Sequence, residues 1–259
     1  MAADEKDGTT TLPLEQHDAE QDDLASSLRG LSVLSTGALP LQELLTRVAH
    51  YAVQAIPRAD GAGLTLLEQR RADMIVTTAD FVGEVDGVQY GIGEGPCITA
   101  ARDGVTVVSG SLGGDPRWPR FGGRVARMGV HSALSLPLIT SDGVVGAMNV
   151  YARAKHVFDD RAAELGELFA VPAAVAVQNA RVLADARRLA ERLQTTLDER
   201  MVVERAVGVV MSRSGVDDVE ALARLTRLSQ HEHVKLVQIA RTLVDEAVRR
   251  ARATSTEER

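Results

Sequence analysis

The chain has 259 residues, 45% of them apolar but only 3% aromatic, and a formal net charge of −7. That length allows two modest domains with cores of Leu, Val and Ala rather than rings. The acidity excludes a protein that coats nucleic acid non-specifically, which requires a basic surface to release phosphate counterions. The single cysteine, Cys97, excludes an internal disulfide and any multi-cysteine metal centre. The acidic start Met1 to Lys6 has no basic-then-apolar signal, and no apolar run approaches the ~18 residues of a membrane span. A cytoplasmic protein with no membrane partner is therefore expected.

Among the first 30 residues, eight carboxylates face only Lys6 and Arg29, so residues 1–23 read as a disordered acidic leader. Leu24, Leu28, Leu31 and Leu34 then fall at helical spacing. A second amphipathic run carries Leu41, Leu44, Leu45, Val48, Ala49 and Ala52 after a break at Gly37 to Pro40. From Gly61 the texture changes to short β-prone segments at 61–67, 75–78, 105–109, 132–139 and 143–151. The last two are joined by an Asp142-Gly143 step, a strong hairpin signal. Short helices are predicted around 92–101 and 125–129. Together these segments predict an α+β domain over 24–180, an antiparallel sheet flanked by helices.

A long helix is predicted from Asp159. Along it Leu168, Pro172, Val175, Asn179, Val182, Ala186, Leu189, Leu193 and Thr196 alternate in steps of four and three, the spacing of a coiled-coil seam. The early part, Leu165 to Ala176, is expected to pack on the sheet. The linker 181–196 is expected either to pair with a second copy or to remain an ordinary helix. Residues 197–253 show no strand signal and read as a three-helix bundle. Its first helix stops at Ser214-Gly215, its second is capped by Asp217 or Asp218, its third runs from about Val234, and a tail follows at 254–259.

No phosphate-binding loop, nucleophile elbow or His-Glu-x-x-His pair is present. His231-Glu232-His233 reads as a solvated helix start, because adjacent residues on a helix do not converge on one metal. Gly91-Ile92-Gly93-Glu94-Gly95-Pro96-Cys97 forces a tight turn. Cys97 after it is either a reactive thiol at a helix start or a small buried residue.

The run 91–101, Asp115-Pro116-Arg117-Trp118-Pro119, His131 to Leu138 and Gly143 to Tyr151 resemble the GAF domain of actinobacterial regulators over about 38–180. The resemblance implies a sensor domain that encloses a small-molecule effector. No haem or chromophore attachment pattern is present, so no cofactor is assigned. Cys97, Trp118, Phe121 and His131 are candidate pocket residues, or else core. Val203-Glu204-Arg205-Ala206-Val207-Gly208-Val209-Val210-Met211 and the positions after it, to about Ala251, resemble the ANTAR domain. That family is a three-helix output module that binds tandem RNA hairpins in leader transcripts and prevents transcription termination. Val207 departs from it, standing where the family usually has lysine. Arg205 and Arg213 on the first helix and Lys235 and Arg241 on the third are the candidate RNA contacts, against a solvated charged surface as the alternative.

The sequence therefore reads as a homodimeric, non-enzymatic regulator with RNA output. A protein-interaction module that has lost RNA binding is the alternative. Enzymatic use of Cys97, in the manner of GAF-like sulfoxide reductases, lacks the resolving thiol such chemistry generally needs.

Overall fold

A computed structural model describes residues 14–34, 39–68 and 71–257. The first thirteen residues of the expected leader, the break at Gly37 and the last two residues of the tail lie outside these. Two compact units divide at Ala184 and Asp185.

In the first unit, α1 (Leu14–Leu34) and α2 (Leu41–Ala55) precede the sheet. Helix α1 begins ten residues before the spacing of leucines indicates, so residues 14–23, read as the end of a disordered leader, are helical. The reason is tertiary: Glu20 is buried, with its carboxylate 3.9 Å from the Arg161 guanidinium of the helix that begins at Asp160, so this stretch packs on the domain. Strands β1 (Gly61–Glu68), β2 (Arg71–Thr77), β3 (Val107–Ser109), β4 (Ser132–Thr140) and β5 (Gly143–Ala152) form one antiparallel sheet in the order β2-β1-β5-β4-β3. Gly143 adopts φ 102°, which the tight β4–β5 turn requires and which a side chain disfavours.

Helices α3 (Asp80–Ile92), α4 (Pro96–Asp103) and α5 (Pro119–Arg127) lie between strands. The sequence pattern missed α3, and its glycines explain why. Gly83, Gly87 and Gly91 recur every fourth residue, each costing about 1 kcal/mol of helix propensity. Burial of Val82, Val85 and Gln89 sustains the helix instead. Two hydrophobic clusters cover the two faces of the sheet. One joins α1, α2 and the start of α6 (Asp160–Ser214) through Leu45, Leu64, Leu134, Met148, Leu165 and Phe169. The other joins α3, α4 and α5 through Val85, Ala100, Trp118, Phe121, Ala133 and Tyr151.

The second unit comprises the end of α6, α7 (Asp218–Glu232) and α8 (Leu236–Glu257). Gly215 takes φ 67° and its N–H donates to the Met211 carbonyl at 2.8 Å, ending α6 in a left-handed cap. Asp217 caps α7, accepting from the Glu220 N–H at 2.8 Å. The core is small: Ala206, Leu225, Ile239 and Ala240, with Val203, Val207, Leu236 and Leu243 packed around it. The His231 to His233 segment closes α7 rather than starting a helix, because His233 supplies the left-handed cap at φ 55°. Among the described residues no group of three His, Cys, Asp or Glu side chains is placed to hold a metal ion, and no helix is long and apolar enough to cross a membrane.

Two glycines test this packing in opposite directions. A Cβ at Gly122 of α5 would lie 1.9 Å from the Leu112 carbonyl oxygen, so Gly122→Ala must push α5 off the turn at Leu112–Gly114. It is expected to cost about 1–3 kcal/mol or more. A Cβ at Gly87 meets nothing within 4 Å, so Gly87→Ala is expected to raise stability by about 0.5–1 kcal/mol. Thermal melts of both variants check the pair.

Candidate functional site

Strand alternation gives the sheet two chemically different faces. Toward α2 and α6 it presents Leu64, Leu66, Leu134, Leu136, Met148 and Val150. The residues between them on β1, β4 and β5 are small or polar. Gly63, Asn149 and Ser135 form one cross-strand row, with Thr65 beside Ala147 and Tyr151 beside Ala133 in the neighbouring rows.

Helix α3 lays its own polar residues on this face. Asp86 is 1% exposed, and its Oδ1 accepts from Asn149 Nδ2 at 3.0 Å and Tyr151 OH at 2.7 Å. Asn149 Oδ1 in turn accepts from Ser135 Oγ at 2.8 Å. Asp86 Oδ2 has no hydrogen-bond partner. Burial pushes the Asp86 carboxyl up to about 6, while the Tyr151 and Asn149 bonds pull the other way. One turn further on, Gln89 Oε1 accepts from the Cys97 N–H at 2.9 Å, and its fully buried Nε2 is unpartnered. Tyr90 OH donates to Thr65 Oγ1 at 2.8 Å and lies 3.2 Å from Cys97 Sγ.

The four predicted pocket residues are distributed rather than gathered. Cys97 is buried at the start of α4, where burial, with the Asp86 charge adding to it, pushes the thiol up to about 12. A helix N-terminus alone does not overcome that desolvation, so the thiolate that a reactive cysteine requires is disfavoured. Trp118 and Phe121 belong to the apolar cluster under α5. Trp118 Nε1 donates to Thr99 Oγ1 at 3.1 Å, and the Arg117 guanidinium stands 4.3 Å from the ring centroid. His131 bridges the end of β5 to the Leu112–Gly114 turn: its N–H donates to the Ala152 carbonyl, and its own carbonyl accepts from the Leu112 N–H. Its Nδ1 is buried without a partner. Sequence reasoning missed Asp86, Gln89, Tyr90 and Asn149. The available signal was the small or polar residue at alternate positions of β1, β4 and β5.

In the helical unit, Arg205, Arg213, Lys235 and Arg241 are all exposed and form no ion pair among the described residues. Neighbouring cations are already engaged: Arg200 with Glu204, and Arg224 and Arg227 with Glu220. Lys235 is not on the third helix. It precedes Leu236, and its carbonyl accepts from the N–H groups of Gln238 and Ile239, so it is the residue that opens α8. It shares a shallow groove with Thr196, Arg200, Val203 and Leu236. Val207 is half-buried and packs against the bundle core.

The GAF domain family matches residues 38–178, more than half of the chain, and the ANTAR domain family matches 191–244. The chain belongs to the GAF domain family. It carries a GAF sensor domain followed by an ANTAR domain, the organisation of a regulator rather than a catalytic module. No curated protein matches it. Solved structures similar to the GAF part include the GAF domain of a phosphoenolpyruvate-protein phosphotransferase from Coxiella burnetii. The identity is 18% and the TM-score 0.49, over 63% of this chain and 98% of that one. Another is a free methionine-R-sulfoxide reductase from Neisseria meningitidis in complex with its substrate. It is 18% identical with a TM-score of 0.46, over 64% of this chain and 93% of that one.

The polar layer of the GAF domain has a pH signature. Folding raises the Asp86 carboxyl from 3.8 to about 6, so between these values the folded state binds more protons than the unfolded chain. Asp86 therefore makes stability fall as pH rises from about 4 to 6, by roughly 3 kcal/mol in the limit, and the loss is complete above pH 6. Asp86→Asn is expected to flatten that segment of a urea-midpoint profile and to be more stable than the parent at pH 8. Unchanged slopes would contradict the burial argument. Cys97 should react with a thiol reagent only as fast as the domain unfolds, which a comparison with and without denaturant measures.

Proposed function

We propose that the chain is a cytoplasmic, signal-responsive regulator. Its ANTAR domain binds RNA hairpins to control transcription termination, and its GAF domain gates that output. The observation that carries this reading is the continuity of α6. The GAF match ends at 178 and the ANTAR match begins at 191, and residues 179–190 between them are helical throughout. One helix thus belongs to both matched regions, and it is the element through which this reading has a change at the sensor reach the output.

Pairing of two chains along α6 completes the mechanism. Leu168, Val175, Val182 and Leu189 recur every seven residues and are all more than half exposed, as are Leu193 and Leu197. A stripe of that length at heptad spacing is what a two-stranded coiled coil buries. The stripe starts before Ala180, on the side of α6 opposite the buried Leu165, Phe169 and Ala173. The helix thus serves the domain core with one face and a second copy with the other. The pair presents two ANTAR domains, which suits tandem hairpins. The unpaired cations Arg205, Arg213, Lys235 and Arg241 supply phosphate contacts without first breaking an ion pair.

A second reading follows from Val207. Its side chain packs on the bundle core, so the cation usual at that position is absent from the surface, while Val219, Leu222 and Leu228 of α7 stay exposed. These features favour a protein partner as the output. The buried, raised Cys97 thiol disfavours the enzymatic reading.

Filter binding of the full chain to a pool of transcribed leader RNAs, at two salt concentrations, separates the two outputs. Specific binding is expected, weakened at least tenfold in the Arg205→Ala, Lys235→Ala double variant, with a shallower salt dependence. Retention of no RNA by folded, dimeric protein would overturn RNA output in favour of the protein partner. Independently, Val182→Glu with Leu189→Glu is expected to yield monomers by sedimentation while leaving the GAF melt in place, since neither side chain is part of the core.

A further inference from the structure

The spacing that lays an apolar stripe along α6 does not stop where the stripe does. From Val175 to Thr196 the seam residues alternate in steps of four and three, and the same alternation continues through Arg200, Val203, Val207 and Val210. The later part of the seam is covered within the chain, because Val203, Val207 and Val210 pack against the ANTAR core. From Val175 to Thr196 every seam residue is exposed. Pro172 has no N–H for the helix ladder, so the regular part of this open seam begins after it and spans three heptads. Its period is that of a surface that another helix covers, knobs into holes.

One position on the open seam is polar where its neighbours are aliphatic. Asn179 lies between Val175 and Val182 and is exposed. The residues beside it are tied to their own domain: Gln178 Nε2 donates to Asp142 Oδ2 at 3.1 Å, and Arg181 Nη1 donates to the Leu67 carbonyl at 2.7 Å. Asn179 forms no side-chain hydrogen bond among the described residues, so its carboxamide keeps both donor and acceptor for whatever covers the seam. A second carboxamide satisfies both kinds of group, and an aliphatic side chain satisfies neither. In a parallel, in-register pair each seam residue meets its own copy, so Asn179 meets Asn179. An antiparallel pair sets one series of seam positions against the other. At greatest overlap of the open seam, Asn179 then meets Leu189 and both carboxamides go unpaired.

We infer that Asn179 makes this seam selective for a second copy of the same chain, running in the same direction and in the same register, with the two Asn179 carboxamides hydrogen-bonded to each other. The inference rests on the pairing reading above and adds to it the orientation of the pair and the residue that sets it. Asparagine at such a position weakens the pair relative to valine and penalises every other register more. The consequence for output is geometric. A parallel pair brings the C-terminal ends of the two α6 helices together, and an antiparallel pair keeps them apart.

Val175→Cys and Leu189→Cys, made singly in the full chain, test the orientation by disulfide formation under mild oxidation, with the parent and its buried Cys97 as the blank. Both positions are exposed, so neither substitution disturbs the core. Both variants are expected to cross-link to dimers, because each thiol faces its own copy within disulfide reach. An antiparallel pair brings a residue to its own copy only at its midpoint, so it allows cross-linking at one of the two positions at most. Asn179→Val, added to each cysteine variant, is expected to tighten association about tenfold or more by sedimentation and to lower the cross-linked fraction as other registers open. Cross-linking at one position or neither in dimeric protein would overturn the orientation while leaving the pairing reading in place. A chain that sediments as a monomer overturns both. Association no tighter, or a cross-linked fraction undiminished, with Asn179→Val overturns the role of Asn179.

Discussion

An ionised carboxylate enclosed by a sheet and a helix, with only neutral donors for company, organises the GAF domain of this chain. Asp86 can be buried because β5 brings Asn149 and Tyr151 to its Oδ1, and because β1 offers Gly63 where a larger residue would collide with Oδ2. The bonds to Asn149 and Tyr151 hold down a carboxyl that desolvation raises, and desolvation still prevails. A fold selected for stability alone would place leucine at position 86 and an aliphatic layer beneath it, as on the other side of the sheet. Retaining a charged group at that depth, on a helix made fragile by glycine, is a local conflict of the kind found where function requires it.

The ANTAR domain is held by different means. Its buried centre is Ala206, Ala221, Leu225, Ile239 and Ala240, too little apolar surface for a robust independent core, so its ends are closed carefully. Asp217 caps the start of α7, His233 its end, and Gly215 the end of α6. Val207 adds volume where the core is poorest. That local gain explains how valine is accommodated at this position, while Arg205, Arg213, Lys235 and Arg241 stay exposed with no ion pair among the described residues.

Much of this architecture was legible before any coordinates, because strand alternation, the Asp142-Gly143 turn, the Gly215 stop and the Asp217 cap are local signals whose physics does not depend on distant partners. Helix α3 was not legible, since its glycines argue against a helix and only tertiary burial of Val82, Val85 and Gln89 overrides them. The polar layer was missed for a related reason. Asp86 and Asn149 are 63 positions apart in sequence, and nothing local marks them as partners. Trp118 and Phe121 attracted notice as rare aromatics, yet rings are efficient core fillers, and both lie in the cluster under α5. Lys235 was displaced from helix to helix start because Val234, which fits the apolar period, lies outside α8.

The sheet itself supplies the path from polar layer to α6. Asn149 and Tyr151 point to α3, and the residues between and before them on β5, Val150 and Met148, point the other way into the cluster that contains Leu165, Phe169 and Ala173 of α6. A shift of β5 that improves the bonds to Asp86 is therefore felt, one residue along the same strand, by the first turns of α6. Close-packed aliphatic contacts transmit such a shift because they have little free volume to absorb it. The opposite face of those turns bears the exposed Leu168 and Val175, the beginning of the apolar stripe along α6. Under the proposed pairing, one strand and one helix, each with two faces, would place the buried carboxylate and the exposed stripe on opposite sides of a single packed layer.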